Sequence, residues 1–493
     1  MRYFFSFLFV FAVGKAQAAQ LQVVNESGQP IAGASVLVGV SQEKGLQLKT
    51  DLNGTVILPD DLKSTQPITI SAASYLTTTF QDISLENIIL QIEREDSRNI
   101  IEVRGRTTNF GDLKKDGKVD FALVYPGLRE RQLAQFDIES VINADSDILE
   151  ILTEKLIIPS NLTLPEQRES YVLPITLSKP VYRISFKQPS NYRMMALHGQ
   201  FPLKQIISDV RGGKSFYEVI NHFRFLSGGQ RDITVNNAIS DQDIPVNQFN
   251  LDKKIIVQGP ELGPDMVMFS FPLANQADMF FATDVKRITP GQSVSLVLPT
   301  ATDGSELVSV IMPKSEAEKI GGIRQDLMQS GDQFLYPLKV IFAGISQFFK
   351  FFGGDLRENS GSGGLSLARH DDIYSNPVFL DIIPRPKVYT DILQMIMPRE
   401  LLNVDPVTTF AILYEIIRVD KGDFILERSF KLWEVIQMGW TDEISLPSVI
   451  DLDPKKHYRW EVLFMGRSSN GKKGSGAYFL DGITHVTRNS LDF

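Results

Sequence analysis

Cysteine is absent from all 493 residues. That excludes disulfides, thiolate nucleophiles and cysteine-ligated metals together. It also excludes a lipoprotein anchor, which needs a cysteine at the cleavage site. Histidine is scarce. His198, His222, His370, His457 and His485 are the whole set, and none falls in HxH or HExxH spacing, so there is no zinc signature. No GxSxG elbow, Walker loop or Rossmann fingerprint occurs. After residue 13 no segment approaches the roughly 18 consecutive apolar residues of a membrane-spanning helix. There is no long basic run, and the formal charge is −9, which argues against nucleic acid and anionic membrane as main partners.

What is present begins with the first twenty residues, MRYFFSFLFVFAVGKAQAAQ. Arg2 gives a short basic start, Tyr3 to Val13 is an almost unbroken apolar run, and Ala16-Gln17-Ala18 is a small-x-small cleavage pattern. This reads as a secretory signal over 1–18, too short for a membrane span. Cleavage before Ala19 removes Arg2 and Lys15 and takes the charge from −9 to −11. Export without cysteine fits a bacterial periplasm, cell surface or extracellular space.

The remainder reads as short strands of period-two alternation between Gly, Pro, Asn and Asp, for example Gln22–Val24, Ser35–Val40, Ser293–Leu298 and Arg459–Phe464. The expected fold class is mainly β: tandem antiparallel β-sandwiches with a few inserted helices. Modules are expected at 19–95, 96–240, 241–375 and 376–493. The second is mixed, with a polar connector over Glu93–Lys118 and a capping box, Ser215-Phe216-Tyr217-Glu218, opening a helix that runs to Leu226 and stops at Gly228-Gly229. The third has a second capping box at Ser315–Glu318 and a Gly-rich loop at Gly353–Gly364.

In the first module, Gly28 and Pro30 make a turn, Gly33-Ala34 permits a close crossing before Val36, and Thr50-Asp51-Leu52-Asn53-Gly54 is a tight turn. With Tyr75, these positions resemble the carboxypeptidase regulatory-like domain, a seven-stranded transthyretin-like sandwich. The family usually has glycine before that tyrosine, where this chain has Ser74. The resemblance covers about 75 residues and implies an accessory fold: a spacer, a support for a neighbour, or a binding module. In the last module, Leu452-x-Pro454-x-x-x-Tyr458-x-Trp460-x-Val462 resembles the tyrosine-corner strand of fibronectin type III and immunoglobulin-like sandwiches. That resemblance implies Trp433 and Trp460 as core aromatics on opposite sheets.

Two stretches could carry chemistry. In Phe110-Gly111-Asp112-Leu113-Lys114-Lys115-Asp116-Gly117-Lys118-Val119-Asp120, carboxylates four apart around a glycine resemble a calcium loop. Asp112, Asp116 and Asp120 would offer side chains and Lys118 a carbonyl to calcium. Lys114 stands where an acid or amide is wanted, and Leu123 replaces the closing glutamate. The plainer reading is a charged turn entering a strand. The second stretch, Pro337–Phe352, has apolar residues at 338, 341, 342, 345, 348, 349 and 352, a helical stripe. Phe342, Phe348, Phe349 and Phe352 would dock on a membrane surface or a partner, or pack within the fold. His370-Asp371-Asp372 is a lesser candidate for a metal or base.

The sequence thus favours an exported, non-catalytic binding or structural protein, adhesin-like or envelope-associated, recognising protein or glycan. The alternative is a secreted peptidase or glycoside hydrolase with accessory sandwiches. No cofactor other than calcium is implied.

Overall fold

In a computed structural model, the structure describes residues 19–493, apart from 42, 60–61, 63–65, 84–87, 114–116, 136–140, 144, 152–153, 171–173, 237–239, 278, 320–335, 353–363, 371–376, 390–391, 423–424, 447–451, 470–479 and 481. The expected signal sequence lies outside the described residues. The chain divides into two compact units, Met1–Arg94 and Glu95–Phe493.

The first unit has seven strands: β1 (Gln20–Val24), β2 (Ser35–Val38), β3 (Leu46–Lys49), β4 (Thr55–Ile57), β5 (Ile68–Ser71), β6 (Thr77–Gln81) and β7 (Ile88–Gln91). They form two sheets, β4-β1-β7 and β3-β2-β5-β6, a β-sandwich around Leu21, Val23, Val36, Ile68, Ile70 and Phe80. The β1–β7 pairing is parallel, a departure from the all-antiparallel expectation. The motif residues have specific tasks. The buried Thr50 hydroxyl donates to Ile31 O (2.7 Å) and accepts the Ala34 N–H (2.9 Å), tying the turn to the start of β2. Asp51 Oδ1 accepts the Asn53 and Thr55 amides, both at 2.8 Å. Gly54 takes φ +69° and lies against the Val23 carbonyl, where a Cβ would sit at 2.6 Å. Ser74, the departure from the family pattern, has φ +66°, which explains why glycine suits that place.

In the second unit one long antiparallel sheet runs through strands Met279–Ala282, Met266–Gln276, Gly304–Pro313, Leu365–His370, His485–Asp492, His457–Ser468, Val404–Asp420 and Ile425–Met438, in that order. Strand Leu365–His370 pairs with Gly304–Pro313 on one side and His485–Asp492 on the other. A continuous sheet therefore crosses the expected module border at 375/376, because the terminal strand returns to fill the gap between the two halves. A second sheet runs Pro174–Lys179, Leu162–Ser170, Lys118–Pro126, Ser190–Pro202, Arg224–Val235 and Phe249–Asn250.

Three expectations are corrected. The supposed connector contains the strand Ile101–Thr108, whose side chains alternate between core and surface and which pairs along Val181–Phe186. The helix from Phe216 is short: Phe216–Val219, then a 3₁₀ turn, then strand from Arg224. Gly228 and Gly229 sit inside that strand, where added Cβ atoms would meet the Phe249 ring at 2.6 Å and Pro245 O at 1.6 Å. Trp433 and Trp460 lie on one sheet, not two. Both are opposite Leu413 on neighbouring strands, with rings 5.9 Å apart, edge to face. They lie in one core cluster with Leu393 and Ile444, which belong to a small sheet of strands Lys387–Tyr389, Ile392–Gln394 and Glu443–Ser445. Tyr458 makes the expected corner, its hydroxyl accepting the Asp453 N–H at 3.0 Å.

The helices are α1 (Glu130–Gln135), α2 (Leu203–Arg211), α3 (Phe216–Val219), α4 (Lys314–Lys319) and α5 (Tyr336–Phe352). Along α5, Leu338, Ile341 and Phe342 are fully buried, and α5 meets α2, α3 and strand Glu154–Pro159. Phe342 is therefore a core residue of this chain and not a docking one. The side chains of Phe348, Phe349 and Phe352 lie outside the described residues. Gly344 lets α5 close on α3, since a Cβ there would stand 2.2 Å from the Phe216 ring.

Two outcomes follow for thermal or urea unfolding. Ser74→Gly should stabilise the first unit by about 1 kcal/mol, because it relieves a left-handed non-glycine residue. Gly344→Val should destabilise the second unit by roughly 1–3 kcal/mol through overpacking against Phe216. No change in either would contradict these assignments.

Candidate functional site

The sheet holding Lys118–Pro126, Ser190–Pro202 and Arg224–Val235 has two different faces. On one, Phe121, Phe201, Phe223 and Phe225 pack ring against ring, 5.2–5.9 Å apart. On the other, Ala122, Val124, Met194 and Ala196 belong to a core shared with Ile101, Val103, Tyr182, Ile184 and Phe186. At the end of this second face three polar side chains line up across three strands: Asp120, His198 and Ser227.

Residues 198 and 227 are cross-strand partners, and Asp120 is opposite Gln200. His198 Nε2 lies 2.7 Å from Asp120 Oδ1, and Nδ1 lies 3.2 Å from Ser227 Oγ. Asp120 Oδ1 also accepts from Gln200 Nε2 at 2.8 Å. Gln167 clamps the Asp120 backbone, accepting its N–H at 2.8 Å and donating to its carbonyl at 2.7 Å. Phe110 covers the imidazole edge-on at 5.2 Å. Asp120 and His198 are buried, and Ser227 is half-buried.

Aspartate, histidine and serine in a row are the constellation of acyl-transfer enzymes, but proton accounting points elsewhere. The Ser227 hydroxyl has one proton and faces two acceptors, Val246 O at 2.7 Å and His198 Nδ1 at 3.2 Å. The Val246 carbonyl, the nearer of the two, competes with the histidine for that proton. The following residues, Gly228 and Gly229, are held in strand pairing with Leu197 and Ala196. The row acts as a polar cross-brace between strands.

Of the expected calcium ligands, Asp120 lies in this row. Asp120 Oδ1 is engaged by His198 and Gln200, so an ion there would have to displace both donors. Lys118 begins a strand opposite Pro202, Asp112 is exposed, and Asp116 lies outside the described residues. No group of three acidic or histidine side chains poised for a metal occurs among the described residues. Of the lesser candidates, His370 Nε2 lies 3.5 Å from Ser309 Oγ, while Asp371 and Asp372 are outside the described residues. His222 bonds Asp209 at 2.8 Å. Trp440 donates its indole N–H to Met465 O at 2.9 Å.

The larger polar feature was not anticipated from sequence. Between segment 96–187 and the long sheet, charges are buried in complementary pairs. Asp145, with its side chain fully buried, takes Arg428 Nη2 on both oxygens at 3.0 Å and Ser185 Oγ at 2.5 Å. Glu434, equally buried, takes Arg131 at 2.8 Å and faces Lys431 at 3.5 Å. Arg369 bridges Glu130 at 2.6 Å and Glu306 at 2.9 Å. Burial opposes its charge, but the two glutamates outweigh that and raise its guanidinium above the usual range. Glu415 receives Arg98 at 2.7 Å and Lys456 at 2.8 Å, and Arg98 also stacks on Phe430 at 4.6 Å. Nearby, Lys179 Nζ is caged by the carbonyls of Ser160, Leu162 and Val181 at 2.8–2.9 Å and by Asp147 at 3.1 Å. Its partners lie too far apart in sequence, and its charges too regularly within strand patterns, for any local signal to have announced this layer.

No protein-family model matches the chain, and no curated protein matches it. Among solved structures it is compared with a streptococcal ancillary pilin (9% identity, 60% of this chain and 89% of that one, TM-score 0.15). Another is GBS52, the minor pilin of Streptococcus agalactiae (10%, 50% and 99%, TM-score 0.15). A third is BcpA, the major pilin subunit of Bacillus cereus (10%, 60% and 87%, TM-score 0.14). Scores of this size carry no argument about this chain.

Two measurements check the electrostatics. Arg369→Met, which leaves Glu130 and Glu306 facing each other without their cation, should cost about 3–5 kcal/mol; a cost below about 1 kcal/mol would contradict the pairing. The second concerns His485, buried with Nδ1 2.8 Å from Thr484 Oγ1. Burial pushes its imidazole from 6.5 down to about 4. The native state then holds it neutral while the unfolded chain takes up a proton. Its contribution to stability should be full above pH 6.5 and fall as pH drops toward 4, by up to about 3 kcal/mol. His485→Gln should flatten that part of the pH–stability curve; a curve parallel to wild type would contradict the assignment.

Proposed function

We propose that this chain is an exported, non-catalytic, multi-domain protein of a bacterial envelope that binds protein or glycan or serves as a structural element there. The observation that carries the reading is the use made of its acid–base side chains. Asp120, His198 and Ser227 brace three strands, and the Ser227 hydroxyl lies closer to Val246 O than to His198. Asp145, Glu434 and Arg369 hold layers together with their charges fully matched. Groups fixed in this way stiffen a scaffold. The N-terminal seven-stranded sandwich is consistent with a carboxypeptidase regulatory-like accessory module. Export rests on the sequence of residues 1–18.

The hydrolase reading has one observation in its favour, the alignment of Ser227, His198 and Asp120, and that makes the two readings separable. Tagged full-length protein should appear in the periplasmic or surface fraction with its leader removed. It should resist labelling by a fluorophosphonate serine probe, and should retain defined glycans or envelope proteins on an array. Labelling that disappears in Ser227→Ala would overturn the non-catalytic reading. Retention of the full-length chain in the cytoplasm would overturn export.

A further inference from the structure

We propose that Lys187 and Asp96 become joined by a side-chain amide that the folded chain forms on itself. Both side chains are 1% exposed, and Lys187 Nζ stands 3.7 Å from Asp96 Oδ2. That is beyond a direct hydrogen bond, and it places the amine and the carboxyl group together in one water-excluded site. The backbone fixes the encounter: Ser97 N–H donates to Lys187 O at 2.7 Å, and Lys187 N–H donates to Val141 O at 3.0 Å. The ammonium donates to Ser429 Oγ at 3.3 Å and lies 6.0 Å from the centroid of the Tyr414 ring.

The two carboxylate oxygens of Asp96 are not equivalent. Oδ2 accepts the Lys431 backbone N–H at 2.9 Å. Oδ1 is buried and has no hydrogen-bond partner among the described residues. This asymmetry is what an amide-forming condensation requires. Oδ2, with a preorganised donor, can carry the negative charge of a tetrahedral intermediate and remain as the amide carbonyl. Oδ1, held by nothing, can leave.

The step balances without an added reagent. One proton passes from the Lys187 ammonium to Oδ1, giving a neutral amine and a carboxylic acid. The Nζ lone pair then bonds to the Asp96 Cγ. The Cγ–Oδ1 bond breaks, and Oδ1 departs as water with a second proton from Nζ, which the Ser429 hydroxyl holds in place. Ammonium plus carboxylate becomes amide plus water. Exclusion of water and fixed proximity favour the product, whereas in solution hydrolysis would prevail. The link would close a loop of about 90 residues, the kind of constraint that a disulfide supplies in other exported proteins.

Peptide mapping of the purified full-length protein by mass spectrometry tests this directly. The expected result is a branched species uniting the peptides that carry residues 96 and 187, lighter than their sum by one water, with both linear peptides depleted. Lys187→Met and Asp96→Ala should each restore a linear partner peptide. Should either fail to fold, Ser429→Ala keeps both reacting groups and should show the linear peptides persisting longer after synthesis. Linear peptides alone from folded wild-type protein would overturn the proposal and leave an ordinary ion pair.

Discussion

Between segment 96–187 and the long sheet of the second unit, water is excluded from a layer of charges, and each charge is tolerable only because its opposite sits beside it. A carboxylate as buried as Asp145 or Glu434 could not remain ionised alone. Arg428 and Arg131 supply the compensation from across the layer, and Arg369 does the same for two glutamates at once. Such pairs add little net stability over a well-packed apolar layer. What they add is discrimination, because a wrong register leaves several buried charges unmatched together.

That discrimination explains how the strands can keep two different faces. Ala411, Leu413, Trp433, Val435, Trp460 and Val462 form one apolar core. Lys431, Glu434, Arg459 and Glu461 are buried polar residues of the same strands. A one-residue slip in any strand would exchange the two sets. The cross-brace of Asp120, His198 and Ser227 works the same way at the edge of the neighbouring sheet, fixing three strands where the apolar face runs out.

Much of the architecture was legible in the residues, and the misses have physical causes. Alternation located Gln20–Val24, Ser35–Val38, Ser293–Leu298 and His457–Ser468 within a few residues, because a half-buried strand must alternate. The α5 helix was visible from its apolar spacing, but spacing cannot say what covers a stripe; the buried Phe342 answers that from inside the chain. Ile101–Thr108 was missed because its outward positions are charged, which made a strand look like a linker. Gly228-Gly229 looked like a helix stop, yet both glycines are there to let a ring and a carbonyl approach a strand. The row of Asp120, His198 and Ser227 spans residues far apart in sequence and exists only through register. Asp120 itself was singled out, though for a different chemistry from the one its neighbours impose.

The picture that emerges is a cysteine-free scaffold whose buried polar groups are committed to holding layers in register. If the charged layer joins its two sides into one cooperative body, native-state hydrogen exchange will show it. Amides in strands Ser146–Ile151 and Val181–Phe186 on one side, and Val404–Asp420 and Ile425–Met438 on the other, should then open with one common free energy. That value should fall on both sides together in Arg131→Met, which removes the cation facing Glu434 across the layer. Two distinct opening energies, with Arg131→Met lowering only one of them, would contradict the account.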